Sequence, residues 1–174
     1  MVTITISGNP GSGKSTIASL LRDRLGIPYM YSGLIFRLLA EKHQMNLAEF
    51  GRYCERHDNI DRELDDKQLE ILRKGDVILE GRLAGWIAFL NDIPACKVLI
   101  DADLLVRAQR VMTREKGTID QRKKEIILRE ENEWKRYKRY YNIDLKDTTI
   151  YDLVIDSSEK TPEEIVEEII VFLN

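Results

Sequence analysis

The chain has 174 residues, 43% of them hydrophobic and 33% charged, with a formal net charge of −3 and two cysteines. That length allows one sizeable core and is short for two ordinary domains, so a single domain is expected over residues 1–174. The composition excludes a disordered or fibrous chain, no apolar run approaches the roughly 20 residues of a membrane span, and the start lacks a leader's basic region and cleavage site; a cytoplasmic protein is expected.

Short apolar runs alternate with longer helical patterns. The first run, "VTITIS" at residues 2–7, alternates as a strand does. A helix is predicted over residues 14–25, closed by Gly26, after which Pro28 opens a second strand at 29–31. Roughly 45 residues then precede the third strand at 77–80 and read as three helices at 33–43, 47–57 and 61–73, where a simple crossover needs one. A fourth strand is expected at 97–100 and a fifth at 153–156, separated by a second long excursion over 103–141. Asn46 with Glu49, Thr118 with Gln121, and Thr161-Pro162 with Glu164 have the spacing of helix-starting capping boxes. The alternation predicts a parallel sheet with helices on both faces. The two excursions predict movable flaps over a central site.

Charge is unevenly spread: residues 107–146 hold 13 Lys/Arg against 7 Asp/Glu, a local +6, leaving 14 against 23, or −9, elsewhere. Such a segment is either a solvated, salt-bridged helix pair or a surface that meets polyphosphate. Cys54 and Cys96 form no CxxC; they read as small buried residues in a reducing compartment or as a disulfide pair, not as thiol metal ligands.

Gly8-Asn9-Pro10-Gly11-Ser12-Gly13-Lys14-Ser15 matches G-x-x-x-x-G-K-[ST] between a predicted strand and a predicted helix, the setting of a phosphate-binding loop. Its glycines let the backbone curl so that successive N–H groups surround an anion, and the new helix adds its positive end. Lys14 would reach the β- and γ-phosphates of ATP, the Ser15 hydroxyl would ligate Mg2+, and Thr16 would meet the α-phosphate. There is no NKxD-type base-reading sequence of a GTPase, and the helical excursions favour a small kinase over a motor or transporter ATPase.

Acceptor features follow the next two strands. In "YSGLIFR", Ser32 and Gly33 open a helix with Arg37 one turn in, so the three can converge on a second anion; an ordinary N-cap beside a surface arginine is the other reading. The third strand runs into "LEGRLAGW", where Glu80 at the tip would orient Mg2+ or its waters and Arg82 would bind a phosphate bidentately. A buried salt bridge between Glu80 and Arg82 is the competing reading.

The phosphate loop, "SGLIFR", "LEGRLAGW" and "REENEWKRYKRYYNIDLKDTTIYDLVIDSS" together resemble the nucleoside monophosphate kinases, and most closely the short archaeal-type cytidylate kinases, over nearly the whole chain. The resemblance implies ATP- and Mg2+-dependent phosphorylation of CMP or dCMP. It also implies an α/β, three-layer P-loop NTPase fold: a five-stranded parallel sheet with helices on both faces, an acceptor-binding helical segment at about 32–75 and a lid at about 114–128. Arg37 and Arg82 match family positions that hold the acceptor phosphate. Arg129, Glu133 and Arg136 match an Arg-x3-Asp-x2-Arg pattern for acceptor ribose and phosphate, with Glu in place of the usual Asp; their spacing sets all three on one helix face. Bacterial relatives follow the arginine of "GR" with an aspartate that helps read cytosine, and here that position is Leu83, so base recognition must come from elsewhere. A cytosine reader combines a carboxylate or carbonyl with a donor. Asp61 with Arg62 in "NIDRELD" is the candidate pair, against the reading of a helix-start acid with a solvated neighbour.

Arg107, Arg110 and Arg114 recur at helical spacing opposite Leu104, Ala108 and Val111. With the lid placed by resemblance, Arg110 and Arg114 become clamps on the transferring phosphoryl group and Arg107 a structural residue. Lys123 and Lys124 read as charged surface, as do His43 and His57, because an acceptor phosphate with a second pKa of about 6 is largely dianionic at neutral pH and needs no general base. Trp134, Tyr137, Tyr140 and Tyr141 read as packing at the lid's base rather than as stacking platforms for nucleic acid. A monomer acting on small molecules, with neither nucleic acid nor membrane as partner, is expected. Two alternatives stay open on sequence: a kinase of another acceptor such as UMP, AMP or a metabolite, and a nucleotide-binding module without turnover.

Overall fold

The computed structural model describes residues 2–54 and 59–174, with all their side chains except those of 47, 48, 51, 54 and 59–61. Strands β1 (Ile4–Gly8), β2 (Tyr29–Tyr31), β3 (Ile78–Glu80), β4 (Cys96–Asp101) and β5 (Leu153–Asp156) form one sheet in the order β2-β3-β1-β4-β5. Every pairing is parallel. The central strand, "ITISG", is buried along its whole length, which a parallel sheet covered on both faces requires.

Alternation along β1 assigns its side chains to two layers. Ile4 and Ile6 share a core with Ile17 and Leu21 of α1 (Lys14–Leu25) and Ile165 and Ile169 of α8 (Pro162–Leu173). Ser7 belongs to the opposite face, where its Oγ accepts the Gly85 amide of α5 (Ala84–Leu90) at 3.0 Å. There Leu79, Leu83 and Trp86 pack with Ile35 and Leu39 of α2 (Ser32–Lys42), Phe50 of α3 (Leu47–Cys54) and Leu72 of α4 (Asn59–Lys74). The helical excursion after β4 consists of α6 (Leu104–Arg114) and α7 (Ile119–Tyr141), packed on each other.

The expected five-stranded parallel sheet with helices on both faces is present, with strand ends displaced by one or two residues. Helix α5 has no counterpart in the sequence reading. It is seven residues long, has no side-chain cap, and is buried from Ala84 to Ala88, so no polar face gives it a helical period. The helix expected over 47–57 ends within the described residues at Cys54, and His57 lies outside them.

Two of the three capping boxes close. Asn46 and Glu49 exchange amide-to-side-chain bonds at 3.0 and 2.9 Å, and Thr161 and Glu164 at 2.8 and 3.2 Å. At the start of α7 the Thr118 hydroxyl accepts the Gln121 amide at 3.2 Å, but the Gln121 side chain turns outward to Glu125. His43 is half-buried rather than a surface residue: its Nε2 lies 2.9 Å from Glu63 Oε2, and its ring packs on Phe50 and Tyr53. Cys96 is also half-buried, and burial pushes its thiol up to about 11, which leaves it unreactive; the Cys54 side chain lies outside the described set.

Candidate active site

The phosphate loop leaves β1 at the carboxyl edge of the sheet, where open α/β folds bind ligands. Its glycines are imposed by close approach. A Cβ at Gly8 would stand 2.4 Å from the Ile100 carbonyl oxygen of β4, and one at Gly11, where φ is +82°, would stand 2.7 Å from the Arg107 carbonyl oxygen of α6. Gly13 is the N-cap of α1, and no side-chain oxygen caps that helix. The amides that open α1 therefore face a 360 Å³ cavity lined by Gly11 to Thr16 of the loop and helix start.

Arginines of α6 brace this loop. Arg107 is buried, donating to the carbonyls of Ala102 at 2.8 Å and Pro10 at 3.4 Å and to the Glu130 carboxylate of α7. It is structural, as expected, but it lies inside the packing rather than on an open arginine face. Arg110 donates to the Ser12 carbonyl at 3.3 Å and to Ser157 Oγ and O at 2.9 and 2.6 Å, while Ser157 Oγ donates to the same Ser12 carbonyl at 2.8 Å. Arg110 and the exposed Arg114 both line the phosphate-loop cavity. Asn9 reaches away from it, its Nδ2 donating to Asp101 Oδ1 at 3.3 Å. The buried Ser157 brace escaped the sequence reading, because a serine after a strand carries no periodic or motif signal.

Beside the loop, Ser15 Oγ donates to Glu80 Oε1 at 2.9 Å and Tyr29 Oη donates to Glu80 Oε2 at 2.5 Å. Lys14 Nζ lies 3.9 Å from Glu80 Oε1. Burial lowers the Lys14 pKa and the Arg129 and Arg82 charges add to this, with Glu80 opposing. Tyr29 is raised by burial and by its bond to Glu80, so it stays a donor. Sequence reasoning missed Tyr29; the register sets it opposite Ile78, so its hydroxyl reaches Glu80 two positions further along β3, and register is a tertiary property.

A second cavity of 440 Å³ adjoins the first. Gly8, Pro10, Lys14 and Glu80 contribute to its lining, with Ser32 and Gly33 from the start of α2 and Arg82, Arg129, Glu133 and Arg136 around it. The carboxylate of Glu133 is buried and held at both oxygens, by Arg82 Nε at 2.7 Å and Arg129 Nε at 2.9 Å. Burial alone would raise its pKa, but the two arginines hold it below the usual carboxylate range. Arg82 thus pairs with Glu133, and the Glu80–Arg82 salt bridge is not formed. Arg136 lies over the Tyr137 ring, 4.8 Å from its centroid, and donates to the Tyr137 hydroxyl at 2.9 Å.

Arg37 is not brought to this cavity. Ile35 and Leu39 take the buried face of α2, so Arg37, two residues from each, is turned outward and donates to Tyr31 Oη at 3.4 Å. The Asp61 side chain lies outside the described residues, and its neighbour Arg62 is exposed. Among the described residues of α4, the cavity wall is supplied by Leu64, Asp65 and Gln68, with Tyr137 and Tyr140 of α7. The i, i+4 relation between Asp61 and Asp65 was the available sequence signal. Trp134 donates to Asp144 at 3.1 Å and Tyr141 to Asp65 at 2.6 Å.

Residues 3–159 match the model of the cytidylate kinase-like family. Cytidylate kinases of Methanococcus vannielii and Methanocaldococcus jannaschii are 45% and 46% identical to this chain over 157 residues, covering 90% of it and 90% and 88% of their own lengths. The cytidylate kinase of Pyrococcus horikoshii is 42% identical over 162 residues, covering 93% of this chain and 83% of its own. Two solved shikimate kinases share the fold. That of Bacteroides thetaiotaomicron has a TM-score of 0.65 at 19% identity, with 99% of this chain and 98% of that one covered. That of Aquifex aeolicus has a TM-score of 0.57 at 21% identity, with 99% and 96% covered. These distant likenesses bear on fold alone and agree with a P-loop NTPase sheet. The identities sustained over nine-tenths of the chain do more: the chain belongs to the cytidylate kinase-like family.

Proposed function

We propose that the protein is a nucleoside monophosphate kinase that transfers the γ-phosphoryl group of ATP in line to the 5′-phosphate of CMP or dCMP, giving ADP and CDP or dCDP, in pyrimidine nucleotide metabolism. The observation that carries this reading is that the phosphate-loop cavity and the arginine-lined cavity meet at one side chain, because Lys14 lines both. A donor phosphate on the loop and an acceptor phosphate among the arginines would face each other across that ammonium.

Two anions must be brought together, so catalysis consists of positioning and charge stabilisation. The loop from Gly8 to Thr16 holds the donor phosphates through those of its backbone N–H groups left without an internal acceptor, Pro10 having none, and Lys14, Arg110 and Arg114 support the transferring group. Arg82, Arg129 and Arg136 receive the acceptor phosphate, with Ser32 and Gly33 at the α2 start. Glu133 already holds Arg82 and Arg129, so the acceptor dianion meets two oriented guanidiniums and competes with a single carboxylate for them. Freed from them, Glu133 can turn to the acceptor ribose. Arg37 joins only if the acceptor segment at about 32–75 moves.

The Ser15 hydroxyl and Glu80 carboxylate offer adjacent hard oxygens that fit Mg2+. Among the described residues no three His, Cys, Asp or Glu side chains form a metal cage. When bound, the ion neutralises charge on the phosphate oxygens. The lid, at about 114–128, keeps water from the phosphoryl group. The same reading makes the protein a single-domain cytoplasmic monomer without nucleic-acid or membrane partners, which its mass in solution and its cellular fractionation test. Among the described residues no helix is long and apolar enough to cross a membrane.

A panel of nucleoside monophosphates with ADP release followed by a coupled assay tests the function. CMP and dCMP are expected to lead, with negligible ATP hydrolysis in the absence of acceptor. Equal use of AMP or UMP would overturn the acceptor assignment, and rapid acceptor-independent hydrolysis would overturn the kinase.

A further inference from the structure

The arginine-lined cavity has two chemically different ends. Around Lys14 lie Glu80, Arg82, Arg129 and Glu133, whose charges act on its ammonium. The other end is built by α4 and the last turns of α7, with Leu64, Asp65, Gln68, Tyr137 and Tyr140. A nucleotide seated with its phosphate at the first end places its base at the second, beside Tyr137, whose ring carries the Arg136 guanidinium, and Tyr140.

Asp65 is clamped there. Its Oδ2 accepts the Tyr141 hydroxyl at 2.6 Å and its Oδ1 accepts Gln68 Nε2 at 3.1 Å. An ionised carboxylate only accepts, so the second bond fixes the Gln68 amide with nitrogen toward Asp65 and oxygen away. Gln68 Oε1 then lies against the cavity wall, where a side chain at Gly81 would meet it at 2.9 Å. That oxygen is buried without a hydrogen-bond partner, and Gln68 as a whole is 6% exposed. Orphaned buried acceptors are rare in native folds and call for a functional reason.

The Asp65 carboxylate therefore brings an acceptor to this end of the lining, beside the Arg136 guanidinium on Tyr137. Cytosine directs an amino group at such a wall, whereas uracil has a carbonyl at the same ring position and would meet the carboxylate oxygen to oxygen. Leu83, buried in the same lining, supplies no polar atom for the task.

We propose that Asp65 accepts the 4-amino group of the acceptor pyrimidine, and that Gln68 and Tyr141 are positioning residues that fix its carboxylate. The proposal rests on the cytidylate kinase reading above and names the residues that choose amino over carbonyl.

The test crosses protein and substrate. Wild type and Asp65→Asn are assayed for kcat/KM at saturating ATP with CMP, UMP and the 5′-monophosphate of the 2-pyrimidinone riboside, which lacks the amino group. Wild type is expected to favour CMP over the deamino analogue by about 10- to 100-fold. Asp65→Asn, which still accepts the Tyr141 hydroxyl, is expected to lose most of that preference by slowing on CMP alone, with the KM for ATP unchanged. An equal loss on CMP and the deamino analogue, or an intact CMP preference, would overturn the proposal. Should Asp65→Asn not fold, Tyr141→Phe decides: a several-fold rise in the KM for CMP at nearly constant kcat, without change for the deamino analogue, supports it, and an equal change for both overturns it. A wild type that does not prefer CMP to UMP defeats the function reading before any variant is made, so the two failures are separable.

Discussion

Replacing Tyr29 by Phe isolates one hydrogen bond at the centre of the site. Tyr29 Oη donates to Glu80 Oε2 at 2.5 Å, and Ser15 Oγ holds the other carboxylate oxygen. The ring itself stays supported, with the Tyr31 ring at 5.5 Å, so Phe removes an oxygen without opening a cavity. Glu80 is 6% exposed and would lose a charge-assisted bond of about 1.5–3 kcal/mol. At about 1.4 kcal/mol per tenfold, this amounts to about a 10- to 150-fold loss if the whole effect falls on the site. Initial rates against Mg2+ concentration, at saturating ATP and CMP, read that loss as a raised half-saturation and a lowered kcat. A thermal melt reports any share taken by stability. A variant that melts like wild type with kcat and Mg2+ dependence within twofold would refute the reasoning. A lower melting temperature with an unchanged Mg2+ profile would leave Tyr29 a structural residue and remove Glu80 from the metal site.

Arg107→Met should cost about 3–5 kcal/mol in urea unfolding, because it bares the Glu130 carboxylate and the Ala102 and Pro10 carbonyls around a buried position. The KM for ATP should rise as the loop loosens, and a loss under about 1 kcal/mol would show that α6 docks without this arginine. Glu133 predicts a pH effect. Burial opposes its ionisation, but Arg82 and Arg129 hold its folded pKa below the ordinary 4.5, so its stabilisation is full above that value and is lost as pH falls through the lower folded one. The stability gap between wild type and Glu133→Gln should therefore narrow on acidification below pH 4.5, and a gap independent of pH would refute the sign.

Features carried by local chemistry were legible from residues alone. The phosphate loop needs glycines at set spacing between a strand and a helix, and its neighbours in sequence are its neighbours in space. Two complete capping boxes, the first crossover helix and the five strands were readable for the same reason, as was the helix face shared by Arg129, Glu133 and Arg136. Pairings between distant segments were not. Glu80 meets Tyr29 and Arg82 meets Glu133 across 51 positions each, Asp65 meets Tyr141 across 76, and Ser157 meets Ser12 across 145. Strand register and helix packing set those partners, and no single segment encodes either. The same packing turned Arg37 outward and buried α5 from Ala84 to Ala88, erasing the period that would have announced it. Sequence by itself therefore determined the glycine-rich loop between strand and helix, and the family. Tertiary structure decided what holds Glu80, what pairs with Arg82 and Arg129, and that Asp65 and Gln68 wall the second cavity, since each depends on side chains that only the folded chain brings within hydrogen-bonding reach.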